Sequence, residues 1–292
     1  MEKLIIEAAI NENARRSLNP HIPVTPEEIA RDAVACAEAG AAVVHFHARE
    51  PETGKPRMNG TELYAEAMER IRNESDVLFY PTFQPGLPAE ERWRHIFDLA
   101  ENPRVRLEIG ACDMGSVNFS RFDVANRRVA GDWIYLNPAT DNEYCLRRCA
   151  DLGLRPRMSV WEPGGLRTAL KFREIGLLTD PLFVQFYLSD DLPQGYPPGA
   201  RALLNFIDLV PSDVRLVWFA GSVSGDATRV NGLAILMGGH VRVGLGDDPA
   251  AGGGKATNAD LVARMVRLAG DLGREVATPA EARTILGLGK RG

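Results

Sequence analysis

Two histidines stand one residue apart in "AAVVHFHARE" (41–50), in a chain that has only five. The residues before them are small, apolar and β-branched, so the run reads as a buried strand that ends in His45 and His47. Side chains alternate along a strand, so both imidazoles leave one face, with Cα atoms about 6.6–6.8 Å apart. Two ring nitrogens so placed can converge on one divalent ion and leave positions for a carboxylate and a substrate. Zn²⁺, or another divalent transition metal, is the ion that imidazole ligands select. The alternative is a pair of core histidines satisfied by backbone groups. The H-x-H spacing at a strand end favours the metal.

Eight apolar runs read as strands: 3–10, 41–48, 76–83, 105–112, 155–162, 182–189, 214–221 and 240–246. Amphipathic segments lie between them. "TPEEIARDAVACAEAG" (25–40) opens with Thr25 as N-cap, Pro26 in the first turn and Glu28 closing a capping box, and it ends on Gly40. Strands alternating with helices in a chain of 292 residues predict an α/β fold, a (β/α)₈ barrel in one domain spanning 1–292. The rival is a doubly wound open sheet, but no G-x-G-x-x-G follows the first strand. "GGGKATNAD" (252–260) lacks the spacing of a phosphate loop and reads as a loop before a helix. The segment 113–143 reads as a long connection, of a length that is uncommon unless functional, and is expected over the site.

Barrels place their chemistry at the C-terminal ends of the strands. Those ends carry Glu7 and Asn11; His45, His47 and Arg49; Thr82; Asp113 and Ser116; Glu162; Gln185; Ser222; and Arg242, Asp247 and Asp248. The four tryptophans are scattered and read as core or subunit contacts.

Bulk properties narrow the partners. A net charge of -5 argues against nucleic acid and anionic membranes, which favour basic patches. The four cysteines form no C-x-x-C pair and read as small buried residues in a reducing cytoplasm. The start "MEKLIIEAAINENARR" does not read as a signal peptide, and no segment has the run of about 18 apolar residues that a membrane span needs.

The chain resembles the β-keto acid cleavage enzymes nearly end to end. The likeness is carried by "AAIN", "VTPEEIARDAVACAEAGAAVVHFHARE", "GSVNF" (115–119), "VWEPG" (160–164), "GGHVRVGLGDD" (238–248) and "NADLVARMVRLAGDLGREVATPAEARTIL" (258–286). The resemblance implies a (β/α)₈ barrel with a catalytic Zn²⁺ on His45 and His47. It implies a reaction in which a β-keto acid and acetyl-CoA give acetoacetate and a new acyl-CoA. Thr82 and Ser116 match hydroxyls near the substrate carboxylate, Glu162 matches a site glutamate, and Arg242 with Asp247 matches a pair that assists proton transfer. Asn11, after the first strand, is a further substrate-binding candidate. Homo-oligomers are common in the family, so a tetramer is expected.

One position departs from the family pattern. The last strand usually ends G-F-E-D or G-L-E-D, and its glutamate is the third metal ligand; here "GLGDD" puts Gly246 in that place. Glu7 is the expected substitute, because a closed barrel sets the first strand between the second and the last, about 4.8 Å from each. The alternative makes Glu7 an acceptor behind one histidine, with Asp247 or water completing the site. Two other functions stay open: a CoA-independent, metal-dependent aldolase or hydrolase of keto acids, and a barrel that binds a keto acid or metal without turnover.

Overall fold

Each of the eight apolar runs overlaps a strand; six contain theirs, while the strands in 105–112 and 214–221 run on to Met114 and Ser222. In the computed structural model, which describes residues 2–288, the strands are β1 (Ile6–Ala9), β2 (Val43–Phe46), β3 (Leu78–Pro81), β4 (Ile109–Met114), β5 (Val117–Asp123), β6 (Arg128–Tyr135), β7 (Arg155–Val160), β8 (Leu182–Leu188), β9 (Leu216–Ser222) and β10 (His240–Val243). Eight of them pair in parallel in the order β3-β2-β1-β10-β9-β8-β7-β4. The outer members, β3 and β4, lie side by side, so the sheet nearly closes. This is the (β/α)₈ barrel that the alternation of runs predicts.

The helix Pro26–Glu38 shows why its segment folds locally. The Thr25 hydroxyl accepts from the Glu28 N–H at 3.2 Å, and the Glu28 carboxylate accepts from the Thr25 N–H at 3.0 Å. Two orphan donors are satisfied reciprocally. Ile29, Ala30, Ala33 and Cys36 recur at helical spacing and are buried. All four cysteines are free and buried.

The segment 113–143 is more ordered than a connection. It holds the antiparallel hairpin β5–β6 and the start of the helix Ala139–Asp151. Alternate residues of the hairpin face opposite sides, as the period of a strand requires. Phe119, Arg121, Trp133 and Tyr135 line the barrel mouth, whereas Asn118, Ser120, Phe122 and Ile134 line a separate cavity.

Register decides which side chains meet inside the barrel. Glu7 pairs with Val43 on one side and Arg242 on the other, while His45 pairs with Ala9 and Tyr80. His45 therefore lies one side-chain layer nearer the mouth than Glu7.

Candidate functional site

Strand β2 delivers His45 and His47 to the mouth, and both are buried. The carboxylate that meets them comes from Glu12, in the turn after β1. Its Oε1 lies 3.0 Å from His45 Nε2, and its Oε2 lies 2.6 Å from His47 Nε2. Among the described residues, Glu12, His45 and His47 form the one group of three or more His, Cys, Asp or Glu side chains with ligand atoms all within 4.8 Å of one another.

The donor chemistry fits a divalent ion. His45 Nδ1 lies 3.0 Å from the Tyr80 carbonyl, so that nitrogen carries the proton and Nε2 offers its lone pair to the mouth. Burial lowers the pKa of His45, with Arg242 adding to the shift, while Glu12 opposes it. A neutral imidazole is the metal-binding form. For Glu12, burial works to raise the pKa, but His47, His45 and Arg242 outweigh it and hold the carboxyl well below its usual range. Two imidazoles and one carboxylate leave a coordination position open, as catalytic zinc sites require.

Glu7 stands elsewhere. Its Oε1 accepts from the Tyr80 hydroxyl at 2.6 Å, Arg242 Nη1 at 2.8 Å and Arg157 Nη2 at 3.0 Å. The expectation that Glu7 completes the histidine pair fails on register. Being on a neighbouring strand is not enough when Glu7 lies two residues, about 6.6 Å, behind the residue opposite His45. Burial tends to raise the pKa of Glu7, but Arg157, Arg242 and the Tyr80 hydroxyl lower it.

Arg242 links the two layers. It holds Asp247 through two bonds, Nε to Oδ2 at 2.8 Å and Nη2 to Oδ1 at 3.0 Å, and it also contacts Glu12 and Glu7. Asp247 is buried, and burial raises its pKa against the pull of Arg242. Arg242 and Asp247 thus meet as the sequence predicts, beside the three-residue cluster.

The other expected residues separate. Thr82 lines the same cavity of about 1100 Å³ as Glu12, His45, His47, Arg242 and Asp247. Ser116 and Glu162 do not line it. They border a cavity of about 370 Å³ beyond the hairpin, where Ser116 Oγ accepts from the Asn137 N–H at 2.8 Å. Glu162 precedes the helix Pro163–Glu174 and caps nothing with its side chain. Asn11 is fully buried and works on the backbone: Nδ2 donates to the carbonyls of His47 and Pro23, and Oδ1 accepts from the His47 N–H at 2.8 Å.

Three participants stand in places the sequence did not indicate. Glu12 needed the path of the turn to place it. Tyr80 looked like one apolar strand residue among several. Arg157 sits in "RPRMSV", where alternation alone puts it on the inward face with Ser159, to which it donates at 2.6 Å. Trp93, Trp161 and Trp218 are buried, as the expectation of core or subunit contacts allows, and Trp161 and the exposed Trp133 also line the mouth with Phe119, Tyr135 and Tyr187.

The family model for the beta-keto acid cleavage enzymes matches residues 3–288. The chain is 33% identical to a 3-dehydrocarnitine:acetyl-CoA trimethylamine transferase of Rhizobium meliloti (strain 1021), covering 94% of this chain and 93% of that protein. It is 32% identical to a 3-keto-5-aminohexanoate cleavage enzyme of Fusobacterium nucleatum, covering 99% of this chain and all of that protein. Among solved structures, a binary complex of ObcA with oxaloacetate superposes with a TM-score of 0.69 at 17% identity, over 92% of this chain and 68% of that one. This last likeness concerns the fold alone.

Proposed function

The chain belongs to the β-keto acid cleavage enzymes, and from that membership we propose an active site built on Glu12, His45 and His47, with Asp247 and Arg242 moving the proton. The protein is an enzyme that transfers an acyl group between a β-keto acid and acetyl-CoA, giving acetoacetate and a new acyl-CoA. The observation that carries the residue assignment is the convergence of the three-residue cluster and the Arg242–Asp247 pair in one cavity.

Glu12, His45 and His47 would hold a divalent ion, with Zn²⁺ suited to their donors, and when bound it would supply positive charge that favours loss of the C2 proton. Asp247 takes that proton, made more basic by burial and oriented by both bonds from Arg242. The C2 carbanion attacks the thioester carbonyl of acetyl-CoA, forming the C2–acetyl bond and expelling CoA thiolate. The thiolate attacks the original ketone, and the bond from C2 to that carbon breaks. The new acyl-CoA leaves, and the remaining carbanion regains the proton from Asp247 to become acetoacetate. Thr82 contributes a hydroxyl to the substrate carboxylate. No protein nucleophile is needed. Ser116 and Asn11 are not retained as substrate contacts, Glu162 is not retained as a catalytic residue, and Glu7 is not retained as a ligand.

We read the enzyme as cytoplasmic and homo-oligomeric. Free buried cysteines agree with a reducing compartment. No described helix is long and apolar enough to cross a membrane. Phe122, Val124, Val129, Ile134 and Leu136, exposed on and beside the hairpin, favour contact with another subunit.

The test mixes the enzyme with acetyl-CoA and a panel of β-keto acids with cationic, neutral and anionic tails, with products read by mass. Acetoacetate formed together with a new acyl-CoA supports the proposal. Cleavage without CoA supports an aldolase or hydrolase instead, and binding without turnover supports a non-catalytic barrel.

A further inference from the structure

We propose that Gly246 and Arg49 are positioning residues that make Glu12, a loop residue, the carboxylate partner of the two histidines. This rests on the metal reading above. Two observations carry it, one on each side of the turn.

The first is room. Strand β10 ends at Val243, and the chain after it runs across the mouth beside the end of β1, where the Gly246 N–H donates to the Ala9 carbonyl at 2.9 Å. A Cβ on Gly246 would stand 2.5 Å from Glu12 Cγ, 2.9 Å from the Ala9 carbonyl oxygen and 3.0 Å from Glu12 Cβ. Real Cβ atoms do not approach other atoms so closely. The stem of Glu12 therefore lies in the space that any other residue at 246 would fill. The glycine at the end of the last strand and the glutamate in the first loop are one arrangement.

The second is a clamp. Glu12 has φ +36°, a left-handed conformation that a non-glycine residue holds only when its surroundings impose it. Arg49 imposes it. Arg49 is 2% exposed, and its Nη2 donates to the carbonyls of Asn11 at 2.6 Å, Ala14 at 3.1 Å and Glu12 itself. Nη1 donates to the Gly54 carbonyl at 2.9 Å, anchoring the fork to the next loop. Two nitrogens of one rigid guanidinium thus hold the turn and the Gly54 loop at a fixed separation, which a single ammonium does not reproduce. Arg49 follows His47 by two residues, so one strand exit supplies both imidazoles and the clamp for the carboxylate opposite them. Asn11 ties the same turn to the His47 backbone.

The test titrates the metal-stripped full chain with Zn²⁺ against a competing chelator, and with Co²⁺ by its visible absorption, which reports ligand number and geometry. Wild type, Glu12→Ala, Gly246→Ala, Arg49→Lys and the double variant Gly246→Glu with Glu12→Ala are compared, with thermal unfolding as the check on folding. The inference predicts a rise of at least tenfold in Kd for Gly246→Ala and for Arg49→Lys, with a changed Co²⁺ spectrum. It predicts that the double variant binds more tightly than Glu12→Ala, because loss of the Glu12 Cγ removes the shortest contact of a side chain at 246 and the new carboxylate replaces the lost one. Should Gly246→Ala unfold, Arg49→Lys and the double variant decide alone. Wild-type affinity and spectrum in both Arg49→Lys and Gly246→Ala overturn the inference while leaving the metal reading intact. A wild-type chain that binds neither ion, or a Glu12→Ala chain that binds both unchanged, overturns the metal reading itself.

Discussion

Glu7 and Glu12 stand five residues apart on the same strand exit, yet they live in different chemistry. Glu7 is wholly buried among two guanidinium groups and a phenol. Glu12 lies one layer higher, where its partners are two imidazoles and Arg242. The lower layer is saturated with permanent cations and stabilises the barrel. The upper layer is built from groups whose charge and coordination can change. Arg242 belongs to both, which ties the geometry of the upper layer to the rigidity of the lower one.

This division can be broken residue by residue. The largest effect is expected for Asp247→Asn, which removes the proton acceptor and keeps the shape. Turnover should fall by about 10²–10⁴-fold, the usual worth of a positioned acid–base group, with metal content unchanged. Glu12→Gln should come next, with a loss on the order of 10²–10³-fold in kcat/KM, similar to losing one donor that stabilises transition-state charge. Its metal content should drop, and its thermal stability should change little.

Glu7→Gln should do the opposite. Breaking a buried ion pair from one side typically costs about 3–5 kcal/mol, read by denaturant unfolding, and metal stoichiometry should hold. The sign with pH follows. The folded pKa of Glu7 lies below its ordinary value of 4.5, so its contribution is complete above that value and is lost as pH falls through the folded pKa. Stability of the wild type should therefore decline in acid more steeply than that of Glu7→Gln. The smallest effect is expected for Tyr80→Phe. It removes a hydrogen bond to a charged group, worth about 1.5–3 kcal/mol, but spares the carbonyl that orients His45. Calorimetric unfolding and metal titration on one sample should show a lower melting temperature and an unchanged Kd.

Much of this architecture is legible in the residues. The apolar runs announce eight barrel strands because a strand buried on both faces has little choice of side chain. "TPEEIARDAV" announces a helix start because capping is local. His45 and His47 are visible because strand periodicity brings both to one face, whereas Arg242 and Asp247 are expected as a pair only from the family resemblance, since Asp247 lies beyond the end of β10. The hairpin β5–β6 was hidden because β6 is mostly exposed, so its apolar alternation is interrupted by Arg128, Gly131 and Asp132. Glu7 and Glu12 could not be told apart for a different reason. Composition places both near the second strand, but only the pairing of Ala9 with His45 reveals which is level with the imidazoles. Ser116 and Glu162 were separated from the mouth by a hairpin face, a distinction of one residue in parity.

The central claim is that the metal ion sits on Glu12, His45 and His47 while Glu7 stays with the arginines. A crystal of the zinc-loaded enzyme, with anomalous differences collected on both sides of the zinc edge, tests it most directly. The account predicts one peak bonded to His45 Nε2, His47 Nε2 and a Glu12 oxygen, with Arg157 and Arg242 still on Glu7. A peak bonded to Glu7, or no peak at the two histidines, would contradict it.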